Sequence, residues 1–123
     1  MLEIAMHKYI LALFISMTAF SAPNYHADLF CAYDAAMKYK EIVKFEFQAR
    51  DKFRHCTISC IVGIECGVTA SAIMGMAKEI ADVFGPGNAE WGDLVADIMG
   101  LRISKRQSVY NLDTCSQSCE YYY

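Results

Sequence analysis

Hydrophobic residues recur with the period of an α-helix along most of this chain, most clearly over residues 49–67. This segment begins a long low-charge run, in which Glu65 is the only charged residue between positions 56 and 77. One side of the predicted helix carries Phe53, Cys56, Thr57, Cys60, Ile61 and Ile64. Ile58 and Val62 lie on the other side, so the pattern predicts a central helix that the rest of the fold surrounds.

A first helix and a last helical turn are predicted towards the two ends of the chain. Asp28 is a suitable N-cap for the first helix, because its carboxylate can accept from free backbone N–H groups. Residues 43–47 alternate like a strand, but a single short strand would have no partner, so they are predicted to continue the helix. Asp113 is predicted to cap a last turn that contains Cys115 and Cys119.

Two more helices follow the central one, over residues 69–84 and 89–99. Gly67 is predicted to end the central helix with a left-handed conformation. A Gly-Pro-Gly turn then separates the two helices, with Asn88 as a cap, and Gly100 is predicted to end the second.

Each of these helices has an apolar side. In the third helix it lies opposite Lys78 and Asp82, and in the fourth it is predicted to face inward. In the first helix this side carries Leu29, Phe30, Tyr33, Ala36 and Met37, continued by Lys40. In the third it carries Ile73, Met76, Ala77, Ile80, Val83 and Phe84, and in the fourth Trp91, Leu94, Val95 and Ile98. The chain is therefore predicted to be all-α, a compact bundle of about four helices.

The N-terminal residues have the order of a secretory signal peptide. Lys8 precedes an apolar run over residues 9–20, which is too short for a transmembrane span of roughly 20 residues. Ala19 and Ser21 suit the −3 and −1 positions of a cleavage site, so Ala22 is the predicted first mature residue. We expect a signal peptide over 1–21 and a single domain over 22–123; the alternative is an uncleaved N-terminal anchor.

All six cysteines fall within the predicted mature domain: Cys31, Cys56, Cys60, Cys66, Cys115 and Cys119. An even number behind a signal peptide favours disulfides in an oxidising compartment, with a zinc site as the alternative. Two pairs are spaced i, i+4 on a helical face, which favours a ladder of Cys56–Cys119 and Cys60–Cys115. Cys66 would then pair with Cys31, although six cysteines allow fifteen pairings.

Charge and motifs exclude several classes of function. The formal net charge is −3, and no Lys/Arg cluster is present, so the chain lacks the basic surface that nucleic acids require. It contains no phosphate-binding glycine loop, no His-Glu-x-x-His and no Gly-x-Ser-x-Gly motif. We therefore expect no nucleic-acid partner, no cofactor and no dedicated metal ligand set.

His55 is the centre of the most plausible chemical cluster. Asp51 lies one turn before it, and the small residues Ala72 and Gly75 could let Glu79 on the next helix approach it. With Asp82 nearby, the candidate catalytic residues are His55, Glu79, Asp51 and Asp82. They could form a general acid/base pair or a metal site. The favoured interpretation is a buried, charge-assisted hydrogen bond that sets the register of the helices.

The low-charge run also raises the possibility of a helical hairpin that inserts into a membrane. Gly63 and Gly67 have the spacing that allows helices to approach closely in lipid. Glu65 would cost a few kcal/mol at the middle of a membrane, and cross-helix disulfides would oppose release of the hairpin. Membrane insertion is therefore the least favoured alternative.

About half of the predicted mature domain, residues 51–100, resembles a small cysteine-rich helical domain of bacterial secreted proteins, which also occurs in Rhs-type polymorphic proteins. More distantly it is similar to serum amyloid A, a helical bundle that associates with lipid. The residues that carry the resemblance are Asp51-Lys52-Phe53-Arg54-His55-Cys56-x3-Cys60, Gly67-x2-Ala70, Lys78-Glu79 and Asp93-x2-Ala96-Asp97-x2-Gly100.

Together these observations predict a secreted protein, periplasmic or extracellular, that binds a protein or lipid partner in the bacterial cell envelope without catalysis. The alternative is a small secreted hydrolase or toxin domain that uses His55 with Glu79, Asp51 or Asp82. The arrangement of these side chains, in an open cleft or sealed in the core, would distinguish the two.

Overall fold

The computed structural model describes residues 25–46, 50–85 and 90–123. Over these residues the chain forms α1 (Tyr25–Glu46), α2 (Asp51–Cys66), α3 (Val68–Phe84), α4 (Trp91–Ser104) and α5 (Leu112–Glu120), with no strand among them. The predicted all-α bundle is confirmed, with five helices in place of about four. The predicted signal peptide over 1–21, the mature start at Ala22 and the cap at Asn88 lie outside the described residues.

The second helix, α2, is the central element, as predicted. It packs against each of the other four helices. Apolar and small residues on most of its circumference are buried, because neighbours cover it on several sides. The buried residues of α2 are Phe53, Cys56, Thr57, Ser59, Cys60, Ile61, Val62, Gly63 and Cys66.

Three disulfides cross-link α1, α2 and α5. They are Cys31–Cys66, Cys56–Cys119 and Cys60–Cys115, with Cα–Cα distances of 5.6, 5.9 and 5.8 Å. All three predicted pairings are confirmed. Two of them form because residues four apart on α2 face residues four apart on the antiparallel α5. The helices α3 and α4 contain no cysteine, so packing and polar contacts alone hold them to α2.

Two predicted caps are wrong. Asp28 is not an N-cap, because α1 already includes Tyr25 and Asp28 lies in its first turn, where its charge still favours the helix dipole. Asn111 caps α5 instead of Asp113. The Asn111 side chain accepts from the backbone N–H of Thr114, whose hydroxyl oxygen accepts from the backbone N–H of Asn111.

The two glycines predicted to end helices have different roles. Gly67 follows α2 with φ +95°, the positive φ that was predicted, although ψ is 148° and α3 begins immediately. Gly100 does not end α4, which continues to Ser104. A Cβ atom on Gly100 would lie 2.2 Å from the carbonyl oxygen of Cys56, so this glycine lets α4 pack directly on the backbone of α2.

The inward face predicted for α4 is wrong, and the apolar sides of α1 and α3 are also largely exposed. In α3 and α4 the side that carries most of the large apolar residues faces outward, and the side that carries acidic and small residues faces α2. The exposed residues are Met76, Ile80, Val83 and Phe84 on α3, and Trp91, Val95 and Ile98 on α4. The buried ones are Ala70, Ser71 and Glu79 on α3, and Asp93, Ala96, Asp97, Gly100 and Ile103 on α4. Likewise α1 buries Ala32, Ala35, Tyr39 and Val43 and exposes Phe30, Tyr33 and Met37.

The low-charge run over residues 56–77 is divided between α2 and α3 at Gly67. Cys56 and Cys60 within it are joined to α5 by disulfides. Among the described helices, none combines the length and hydropathy that a membrane span requires.

Candidate functional site

The site is organised by His55, which lies on the side of α2 that faces α4. Its Nδ1 is 3.1 Å from Oδ1 of Asp97, and the Ser59 hydroxyl, one turn later on α2, donates to the same oxygen at 2.8 Å. The side chains of His55 and Asp97 are 11% and 9% exposed. Oδ1 of Asp97 therefore has two partners, whereas Oδ2 is buried without a hydrogen-bond partner among the described residues.

Glu79 reaches this pair from α3. Gly75, one turn before it, packs so closely that a Cβ atom there would lie 2.9 Å from Oδ2 of Asp97. One possible ligand atom from each of His55, Glu79 and Asp97 lies within 4.8 Å of the other two. Glu79 therefore lies close to His55, as the strip of Ala72 and Gly75 made possible, and Gly75 itself packs against Asp97. A catalytic role stays a prediction.

Further carboxylates lie at the opposite nitrogen of the imidazole ring. Oδ2 of Asp93 is 3.5 Å from Nε2 of His55, and Oδ1 of Asp51 is 4.0 Å from it. The Asp93 side chain is 4% exposed and forms an ion pair with Lys52, which also pairs with Glu90. His55 thus has a carboxylate near each ring nitrogen.

Asp82 is the one sequence candidate that stands apart. It accepts a hydrogen bond of 2.7 Å from Lys78 on the same helix. Among the described residues, it belongs to neither of the two groups whose ligand atoms lie within 4.8 Å, which are Asp51–His55–Asp93 and His55–Glu79–Asp97. Its contact with the site is through Lys78, whose Nζ is also 3.6 Å from Oε1 of Glu79.

A cleft of about 670 Å³ opens beside the cluster, between α1, α2 and α3. Its polar wall includes Asp51, Arg54, His55, Lys78 and Asp82. Its apolar wall includes Tyr33, Ala36, Met37, Ile58, Val62 and Met74. The cluster therefore borders an amphipathic cleft instead of being sealed within the core.

The environment of His55 favours the imidazolium. Burial alone would lower the pKa of His55, but the hydrogen bond to Asp97 and the negative charges of Asp97 and Asp93 outweigh burial and the opposing charge of Lys78, so the pKa is raised. A raised pKa suits a cation that joins carboxylates on neighbouring helices. It does not suit a general base, for which the neutral ring is needed.

A pH dependence of stability follows from this shift. A raised folded-state pKa means that His55 stabilises the fold fully below its unfolded pKa of about 6.5 and loses that effect as pH rises through the folded value. We expect the difference in unfolding free energy between wild type and His55→Gln to be largest in mild acid and to shrink with rising pH. Urea unfolding in buffers that contain EDTA measures it. A difference that is constant or grows with pH would contradict the assignment, and Asp97→Asn should flatten it.

Asp93 and Asp97 are the site residues that sequence reasoning did not name as candidates. They are four apart, and with Gly100 they form a small, acidic stripe along an otherwise apolar helix. Acidic side chains usually face solvent, so helical periodicity predicts that this stripe lies on the outer side of the helix. The small residues Ala96 and Gly100 were the available signal, because small residues often mark the side of a helix that packs closely on a neighbour. Asp93 and Asp97 share that side and would then face His55.

The chain matches no family model, no curated protein and no solved structure. The resemblance to the cysteine-rich bacterial domain and to serum amyloid A therefore stays a prediction, and the proposals below rest on the geometry of this chain.

Proposed function

We propose that this protein is a secreted, non-enzymatic lipid-binding protein of the cell envelope, which docks on a lipid surface through the outer face of α3 and α4. The observation that carries the proposal is that the apolar sides of these two helices face outward, away from α2. Each buries acidic or small residues and exposes apolar ones, with Ile80 60%, Phe84 77% and Trp91 79% exposed. Water alone does not favour this arrangement, whereas an apolar partner on the outside does.

The exposed face is large enough for stable docking. Four apolar side chains on α3 and three on α4 are about half exposed or more, and the two helices pack against each other. Together these seven exposed side chains present an apolar area of the same order as one partner's share of a standard interface, about 800 Å².

Two exposed aromatic residues, Phe84 and Trp91, favour a lipid surface as the partner of this face. Phe84 ends α3 and Trp91 begins α4, so two exposed aromatic side chains flank residues 85–90. Aromatic residues are favoured at the boundary between headgroups and acyl chains, where an amphipathic helix lies in the plane of the membrane. The proposed binding is peripheral and does not require a membrane-spanning helix.

The charge of the protein indicates which lipids would be bound. The formal net charge is −3, and Lys52 and Lys78, which lie near the site, already pair with Asp93 and Asp82. Attraction to anionic headgroups is therefore weak. Binding should depend on apolar contact, and zwitterionic vesicles should bind as well as anionic ones.

The lining of the cleft also supports a lipid ligand. Tyr33, Met37, Ile58 and Met74 line its apolar wall, next to the charged wall at His55. An amphipathic molecule with an acyl chain and a polar head fits such a lining.

The enzymatic alternative has weaker support from the same cleft. The hydroxyls of Ser59 and Ser71, which line it, donate to Asp97 and to the carbonyl oxygen of Ser59, respectively, instead of to an imidazole nitrogen. A hydroxyl nucleophile requires a neighbouring base that accepts its proton. His55, flanked by carboxylates, is not arranged as that base.

The test uses Trp91, the only tryptophan of the chain, as a probe inside the proposed docking face. Adding phosphatidylcholine vesicles to the disulfide-bonded protein should shift its fluorescence to shorter wavelength, because the indole leaves water. Ile80→Asp should weaken partitioning by about tenfold or more, since a carboxylate would enter an apolar phase. Tyr110→Asp is the control, because Tyr110 is also exposed, at 68%, but lies outside α3 and α4.

Two outcomes would overturn the proposal. If vesicles leave the emission of Trp91 unchanged, the face does not bind lipid. If the emission instead shifts with protein concentration alone, and Ile80→Asp abolishes that shift, the face joins two copies of the chain.

A further inference from the structure

Two buried carboxylates, those of Glu79 on α3 and Asp97 on α4, have oxygen atoms to which none of the described residues donates. Glu79 is 6% exposed, and both of its carboxylate oxygens are buried without a hydrogen-bond partner among the described residues. Oδ2 of Asp97 is in the same condition. Burying a carboxylate oxygen without a hydrogen bond destabilises the fold, and in proteins such groups are paired or bind metals.

The nearby cations do not satisfy these three oxygens. Nζ of Lys78 is 3.6 Å from Oε1 of Glu79, beyond hydrogen-bond distance, and it donates to Asp82 at 2.7 Å. His55 directs Nδ1 to the other oxygen of Asp97 and lies near Asp93 with Nε2. A positive charge placed between Glu79 and Asp97 would complete the cluster.

We propose that His55, Glu79 and Asp97 bind a divalent transition-metal cation such as Zn²⁺ or Mn²⁺, which displaces the proton that the imidazole carries in the metal-free protein. Their ligand atoms already lie within 4.8 Å of one another, from three different helices. One imidazole nitrogen with carboxylate oxygens suits these ions, whereas Ca²⁺ and Mg²⁺ prefer oxygen ligands alone. Asp93, close to the other nitrogen of His55, would orient the ring from outside the ligand set, as partners of metal-bound histidines commonly do.

Two glycines, Gly75 and Gly100, let the helices that carry the three ligands approach closely. Gly75 brings α3 against Asp97, and Gly100 brings α4 against the backbone of α2 at Cys56. A side chain at either position would push apart the helices that carry the three ligands. Each glycine thus lies at a contact that the site requires.

The cation would have a structural consequence that the disulfides do not provide. The bridges join α1, α2 and α5, and neither α3 nor α4 contains a cysteine. A metal held by one residue each from α2, α3 and α4 would cross-link α3 and α4 to α2, and through α2 to the rest of the fold. The sequence alone predicts no metal ligand set, because the three ligands come from separate helices and form no local motif.

The test is metal binding by the full, disulfide-bonded chain after treatment with EDTA. We expect isothermal titration to find one equivalent of Zn²⁺ or Mn²⁺ bound, and the melting temperature to rise by roughly 5 °C or more at saturation. Hydrogen exchange of α3 amides should slow when the ion binds, because the ion joins α3 to α2 and α4.

Glu79→Gln is the decisive variant because it keeps the shape and removes the charge. Without metal, it should be as stable as wild type or more so, since a buried carboxylate whose oxygens accept no hydrogen bond is replaced by a neutral amide. With metal, its affinity should fall at least tenfold and the rise in melting temperature should vanish. Glu41→Gln is the matched control, because Glu41 is exposed on α1 and belongs to neither candidate ligand group.

Three results would overturn the proposal. One is the absence of any thermal shift or heat of binding with either ion. Another is binding that Glu79→Gln leaves undiminished, which would place the ion elsewhere. The third is a preference for Ca²⁺ or Mg²⁺, which would argue against an imidazole ligand. If Glu79→Gln does not fold, Asp97→Asn provides the same comparison.

Discussion

Breaking the two disulfides that hold α5 is expected to destabilise the fold more than any other change considered. The bridges Cys56–Cys119 and Cys60–Cys115 close segments with sequence separations of 63 and 55, and each contributes roughly 4 kcal/mol in the loop-entropy model. The second loop is nested within the first, so the two contributions do not add in full. Together they are still comparable to the whole stability of a small domain, about 5–15 kcal/mol. The variant with serine at all four cysteine positions should unfold in urea either non-cooperatively or at a much lower urea concentration than wild type. Circular dichroism measures the transition.

The length of α5 adds to this effect. It has nine residues, and an isolated helix shorter than about 12 residues is marginal in water. The matched comparison removes Cys31–Cys66, which joins α1 to the end of α2 and leaves α5 in place. That variant should lose less stability and keep a cooperative transition. If the variant lacking both α5 bridges unfolds at the same urea concentration as wild type, the bridges are not what holds α5.

Gly100→Ala is the second large effect expected. The added Cβ would lie 2.2 Å from the carbonyl oxygen of Cys56 and 3.0 Å from the backbone nitrogen of Cys60. Both are backbone atoms of the central helix, which cannot move aside as a flexible side chain can. We expect unfolding free energy to fall by about 3 kcal/mol or more, with loss of metal binding because Asp97 moves away from His55.

Gly92→Ala is the control on the same helix. There the added Cβ would meet the end of the Lys52 side chain, 2.8 Å away. A flexible side chain can shift, and alanine favours the helix over glycine by up to about 1 kcal/mol, so stability should change little. A Gly100→Ala protein with the stability of wild type would show that α2 and α4 do not pack at the distance described.

Several features could be predicted because they depend on spacing within one helix. Cys56 and Cys60 share a face of α2, and Cys115 and Cys119 share a face of α5, so the ladder of disulfides followed from an i, i+4 pattern. The central position of α2 followed from apolar residues around most of its circumference. The approach of Glu79 to His55 was a possibility that the small residues before Glu79 left open, and Gly75 does make the close contact with α4.

The wrong predictions share a physical cause. Periodicity identifies the residues that lie on one face of a helix, but it does not say which face meets the neighbouring helix. On α4 the apolar face was placed inward because burial of apolar surface is normally the largest favourable term. The structure buries Asp93 and Asp97 instead, since their carboxylates meet His55, Ser59 and Lys52 on α2.

The sequence by itself determined the helices, the central element, the disulfide pairs and the candidate status of His55 and Glu79. These depend on local periodicity, on cysteine spacing and on the chemistry of single side chains. Only the tertiary structure decided the orientation of α3 and α4, and with it both the apolar outer face and the cluster of Asp93 and Asp97 around His55. That orientation depends on the contact of Gly100 with the α2 backbone and on polar partners far apart in the chain, which no pattern within one helix contains.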